Sequence, residues 1–177
     1  MERGILTVEH DVECPGCGLI LPRQAKVAGH RYIPASPECW SLFSEVLASE
    51  YENVVIYSAV HQLTVDCYAV QHAVNHPAKS LVSHLVSLHL QLVDGMTGFE
   101  ARDRLKFLVD TTRDYPELPS PERRAGVTIF DVALKVGSSD YVRAVRDWAA
   151  AVWESWSGSY GAIGAITTEL KCRYEVR

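Results

Sequence analysis

The sequence predicts a mostly α-helical protein, a single bundle-like domain with an irregular N-terminal arm. Three observations carry this. Beyond residue 35, apolar residues recur at helical spacing, as in Phe43, Val46, Leu47 and Tyr51. Helix-start signatures recur along the same stretch, in Ser36-Pro37-Glu38-Cys39, Thr97-Gly98-Phe99-Glu100 and Thr128-Ile129-Phe130-Asp131. Residues 1–35, in contrast, show little periodicity and contain Cys14-Pro15-Gly16-Cys17-Gly18, a turn whose two thiols can face one tetrahedral ion.

A chain of 177 residues with 47% hydrophobic content can bury one sizeable core and is short for two, so 1–177 reads as one domain. Within it, 1–35 form the arm, 36–177 the bundle, and 113–126 a Pro-rich loop with Pro116, Pro119, Pro121 and Gly126. Lys plus Arg total 17 against 22 Asp plus Glu, a formal charge of -5 with no basic block, which argues against nucleic acid as a partner. Met1-Glu2-Arg3-Gly4-Ile5-Leu6 lacks the apolar run of a signal peptide, and no later stretch is apolar for the length of a bilayer. The expectation is a cytoplasmic protein with no membrane partner. In a reducing compartment, an odd count of five cysteines that includes a C-x-x-C pair points to metal or redox use more than to structural disulfides.

The elements follow in order. Ser36 caps a first helix with Pro37 at its first position, where a missing N–H costs nothing. A second helix runs from about Val54 to Asn75 and stops before Pro77, which disfavours helical geometry in His76. A third runs from about Lys79 to Val93, closed by Gly95, and Thr97 with Glu100 opens a fourth through about Thr111. After the Pro-rich loop, a short helix from Thr128 ends at Gly137. A longer one from Ser139 to about Ser157 carries Trp148, Trp153 and Trp156, aromatics suited to closing a helical core. Gly158, Gly161 and Gly164 mark places where the last helix breaks or packs closely.

Cys39 falls in the first turn of its helix, where the positive end of the helix dipole favours a thiolate. Cys14, Cys17 and Cys39 are therefore the expected ligands of a Zn2+ ion that tethers the arm to the bundle. The second and third helices hold five of the seven histidines, His61, His72, His76, His84 and His89. His61 and His72 are eleven residues apart and share a helix face, but they stand about 16 Å apart along the axis and cannot bind one ion together. Cys67 lies about 120° around the helix from His61. The order of expectation for the fourth ligand is His61, then His72, then Cys67; Cys172 reads as an incidental thiol. Asp66, His72 and His84 are the candidate catalytic residues, able to supply acid, base or orientation.

Cys14-Pro15-Gly16-Cys17-Gly18, Ser36-Pro37-Glu38-Cys39-Trp40, His61-Gln62-Leu63-Thr64-Val65-Asp66, Tyr68-Ala69-Val70-Gln71-His72 and the late tryptophans together resemble a bacterial family catalogued only as a domain of unknown function, over roughly residues 14 to 160. The resemblance implies the extent of the fold and brings no activity. Family members run from the Gln-His pair directly into proline, where Ala73-Val74-Asn75-His76 intervene here. The resemblance also implies histidines in many members near the positions of Ser159 and Tyr160, and their absence here argues against an essential base on the C-terminal helix.

Two functions fit these residues. In the first, a closed site of three cysteines and a histidine is structural, and a His-lined groove binds a small molecule or a protein partner. In the second, the chain is a small metal-dependent enzyme of hydrolase or lyase type, using zinc-activated water with Asp66, His72 and His84 as acid–base groups. The motifs of nucleotide-binding loops, H-E-x-x-H metalloproteases and G-x-S-x-G hydrolases are absent. A thioredoxin-like use of Cys14 and Cys17 would need a strand-to-helix setting that the arm does not suggest.

Overall fold

A two-residue turn at Glu52 and Asn53 folds the chain back on itself, and the helical hairpin so formed positions everything else. The computed structural model describes residues 11–24, 26–31 and 33–176. The first ten residues of the predicted arm, His10 among them, lie outside the described residues.

Helix α1 spans Pro37–Tyr51, and α2 spans Val54–Gln71. Both begin as their sequences require. The Ser36 hydroxyl accepts from the Cys39 amide at 3.1 Å, and Asn53 Oδ1 accepts from the amides of Val55 and Ile56 at 3.1 and 3.2 Å, satisfying donors that a helix start leaves unpaired. The two helices pack antiparallel. Glu50 at the end of α1 meets His61 and Thr64 in the first half of α2, whereas Cys39 at the start of α1 meets Tyr68 and His72 at the end of α2.

Five more helices follow: α3 (Ala78–Leu92), α4 (Gly98–Thr111), α5 (Ile129–Ala133), α6 (Tyr141–Ser155) and α7 (Tyr160–Glu175). The capping boxes read at Thr97 and Thr128 both form. Helix α2 is the central element and packs against α1, α3, α4 and α6. It buries His61, Leu63, Thr64, Asp66, Cys67, Tyr68, Ala69 and Val70, too many consecutive positions for one apolar stripe. Its polar residues therefore find partners inside the fold. Trp148 is fully buried, its indole N–H donating to Gln71 Oε1 at 3.1 Å, and Trp156 is buried as well, so these two close the core, while Trp153 is half-buried at its edge.

Three departures from the predicted elements have local causes. Helix α2 stops at Gln71 instead of reaching Asn75, because His72 leaves helical geometry at φ -115, ψ 39 and a 3₁₀ turn covers Ala73–Asn75. The His72 ring shares the Tyr68 carbonyl with its own amide, Nδ1 lying 2.7 Å from that oxygen. Second, the arm is not wholly irregular: β1 (Asp11–Glu13) pairs antiparallel with β2 (Ile20–Pro22), Val12 opposite Leu21, and brackets the C-x-x-C turn. Third, α7 runs unbroken through Gly161 and Gly164. The break falls at Gly158, in the 3₁₀ turn Ser157–Ser159, and Gly164 packs against His89.

The buried carboxylate of Glu50 holds α1, α2 and α6 together. It accepts from His61 Nδ1 at 2.7 Å, Thr64 Oγ1 at 2.6 Å and the Tyr141 hydroxyl at 2.7 Å. Replacing it with alanine strands the buried donors of His61 and Tyr141, while Thr64 keeps the Val60 carbonyl at 3.3 Å. Urea denaturation of Glu50→Ala is expected to show a loss of about 3 kcal/mol, with Tyr141→Phe costing about 1 kcal/mol.

Candidate metal centre

The turn that carries the first two thiols is built by backbone hydrogen bonds. The Cys14 amide donates to Leu19 O at 2.8 Å and the Gly18 amide to Cys14 O at 2.9 Å, with Gly18 in the left-handed region at φ +80. Gly16 is required for a different reason: a Cβ there would overlap the His72 ring. The knuckle is thus shaped around that imidazole.

Cys14, Cys17, Cys39 and His72 converge, their ligand atoms all within 4.8 Å of one another. Each is buried: Cys14, Cys39 and His72 at 0% exposure and Cys17 at 5%. Cys17 Sγ lies 3.8 Å from Cys39 Sγ. His72 Nε2 lies 3.3 Å from Cys14 Sγ and 3.6 Å from Cys39 Sγ. A tetrahedral zinc with Zn–S of about 2.3 Å and Zn–N of about 2.05 Å implies S···S edges of about 3.8 Å and S···N edges of about 3.6 Å. The Cys17–Cys39 and Cys39–His72 edges match that tetrahedron, and the Cys14–His72 edge is about 0.3 Å shorter. Around it, the Tyr68 hydroxyl donates to Cys39 Sγ at 3.5 Å, and His72 Nδ1 is held by the Tyr68 carbonyl, the kind of outer partner that fixes a ligating imidazole.

The electrostatics of the four groups suit a cation. Burial alone would push His72 below the ordinary imidazole value, but the hydrogen bonds to Cys14 and Cys17 and their negative charge carry it up to about 9. Hydrogen bonds from Cys17 and Cys39 shift the Cys14 thiol down, while those from Cys14 and Cys17, with burial, shift Cys39 up. Crowded buried thiols cannot all ionise unless a positive charge joins them. A divalent ion supplies that charge and makes three thiolates compatible.

His61, expected as the fourth ligand, is not in this cluster. It sits eleven residues nearer the start of α2, bonded to Glu50 and stacked on Tyr57 with ring centres 4.3 Å apart. The reason is the hairpin: an antiparallel α1 brings its first turn, with Cys39, beside the last turn of α2. Cys67, third in that order, is fully buried, its thiol raised by burial and by Asp66. Cys172 is exposed.

The three expected catalytic residues are divided. His72 has both ring nitrogens engaged in the cluster. Asp66 and His84 form a pair of their own, His84 Nδ1 lying 2.8 Å from Asp66 Oδ1. Sequence reasoning missed the parts played by Tyr68 and Arg124. Arg124, from the Pro-rich loop, reaches the knuckle through Glu13 Oε1 at 3.0 Å and the Pro15 carbonyl at 3.2 Å; nothing in the spacing signals that contact. A cleft of about 710 Å3 lies under the same loop, lined by Pro119, Arg123, Trp156 and Ser157 among others and by no histidine. This cleft is therefore not the His-lined groove expected from the sequence.

Fold and site together define a helical-bundle protein with a buried three-cysteine, one-histidine cluster able to hold a metal ion. The chain belongs to DUF5946, a family of unknown function whose profile matches residues 12–157, a span that includes all four cluster residues. No curated protein and no solved structure matches it. Among the described residues, no helix is long and apolar enough to cross a membrane.

Elemental analysis of His72→Ala and His61→Ala separates the two histidines: the first is expected to lose most of its bound metal, the second to keep it. Equal retention in both would exclude His72 as a ligand.

Proposed function

We propose that Cys14, Cys17, Cys39 and His72 hold a structural Zn2+ ion that fastens the N-terminal knuckle to the α1–α2 hairpin, and that the protein works by binding a small molecule or a protein partner. The observation that carries this is the closed donor set. Four buried side-chain donors within 4.8 Å of one another would complete the coordination of a tetrahedral ion, and closed, thiolate-rich sites are the usual structural form. Three sulfur donors with one nitrogen are among the donor sets of structural zinc.

The ion's influence extends beyond the arm. Through Arg124, the knuckle braces the loop that lines the 710 Å3 cleft, so the metal supports the shape of that cleft. The cleft is the proposed seat of the ligand. The enzymatic alternative, zinc-activated water with Asp66, His72 and His84 as acid–base groups, has less support. It needs an open coordination position, which four protein ligands do not leave, and it needs a free His72.

Because the binding energy of such a site is folding energy, Cys17→Ser is expected to lose its zinc and several kcal/mol of stability, lowering the melting temperature by about 10 °C. Treatment of the native protein with a strong chelator is expected to produce the same shift. A variant that loses zinc but melts unchanged would remove the structural role, and purification without chelator yielding no transition metal would remove the site.

A further inference from the structure

Beside the cysteine cluster, His76 and His84 bring two imidazoles together at the surface. Their ring centres are 6.1 Å apart with planes inclined at 61°. Both rings are partly open to solvent, His84 with a quarter of its side chain exposed. Each is held through the same atom. His84 Nδ1 donates to Asp66 Oδ1 at 2.8 Å, and His76 Nδ1 lies 3.2 Å from the Ser80 hydroxyl, which can accept. Among the described residues no hydrogen bond reaches Nε2 of either ring, and neither atom is a buried polar atom lacking a partner. The two Nε2 atoms are therefore accessible.

Asp66 is built to orient its histidine. It is fully buried, and besides His84 it accepts from Gln62 Nε2 at 2.9 Å and from Gln91 Nε2 at 3.1 Å. A buried carboxylate with this much support fixes the His84 tautomer, with the proton on Nδ1 and the lone pair on Nε2. That is the outer arrangement found behind metal-ligating histidines. Two imidazoles bound to one ion through Nε2 at about 2.05 Å place their ring centres about 5 Å apart at a tetrahedral angle and about 6.4 Å apart when opposed. The observed 6.1 Å falls inside that range. Burial lowers His76 from the ordinary imidazole value, which keeps the ring neutral and able to ligate.

We infer that His76 and His84 form a second, exchangeable site for a divalent first-row transition-metal ion, with Asp66 and Ser80 orienting the two ligands and solvent filling the remaining positions. Imidazole donors select borderline ions such as Ni2+, Co2+ and Zn2+. Unlike the closed cluster, a site with two protein ligands leaves positions at which a substrate oxygen or a water can bind. It uses no residue of the cysteine cluster, so it stands or falls independently of the structural zinc. A zinc-filled three-thiolate site close by would carry net negative charge and favour a neighbouring cation.

The test is nickel titration of tag-free, zinc-loaded protein by calorimetry, with zinc release followed in parallel. Binding of about one Ni2+ per chain without zinc release is expected, retained in Cys17→Ser. His76→Ala and His84→Ala, checked for unchanged circular dichroism, should each weaken it at least tenfold, and Asp66→Asn by about 10- to 100-fold. Absence of nickel binding, or binding undiminished in both histidine variants, overturns the site. Nickel uptake matched by zinc release means that the cysteine cluster is the binder, and overturns it equally.

Discussion

The antiparallel pairing of α1 and α2 is the constraint on which the rest depends. A turn of only Glu52 and Asn53, with Asn53 capping the second helix, leaves no freedom in how the two helices meet. The start of α1 must lie against the end of α2. Cys39 is then delivered to His72, and Glu50 to His61 and Thr64. The knuckle completes the first meeting from outside, with Gly16 admitting the His72 ring where any larger residue would exclude it. One end of the hairpin is thus closed by sulfur and imidazole, the other by a carboxylate.

The polar residues of α2 follow from its position. From Val60 onward α2 is enclosed by its neighbours and has little solvent-facing surface on which to place them, so each must be satisfied within the fold. Glu50 gathers His61, Thr64 and Tyr141; Asp66 gathers His84, Gln62 and Gln91. These clusters join α2 to α1, α6 and α3, and they tie the packing of the bundle to specific donor–acceptor matches that an apolar core would not impose. His84, with a quarter of its side chain exposed, is the more open of the two histidines in these clusters. The arm adds the last coupling, since Arg124 links the knuckle to the Pro-rich loop and hence to the cleft beneath it.

Features set by local chemistry could be read from the residues directly. Helix starts at Ser36, Thr97 and Thr128 were legible because a cap is a contact between residues two or three apart. Three cysteines were legible as a group because a C-x-x-C turn and a thiol in a first helical turn are local features, and helix geometry alone showed that His61 and His72 cannot share an ion. Which of them joins the cysteines is settled by how the helices pack. That choice depends on helix direction about the turn at Glu52 and Asn53, a relation between residues 33 apart in Cys39 and His72. The reach of Arg124 to Glu13 and Pro15 was not legible, because it joins residues more than a hundred positions apart, far beyond the range of local spacing.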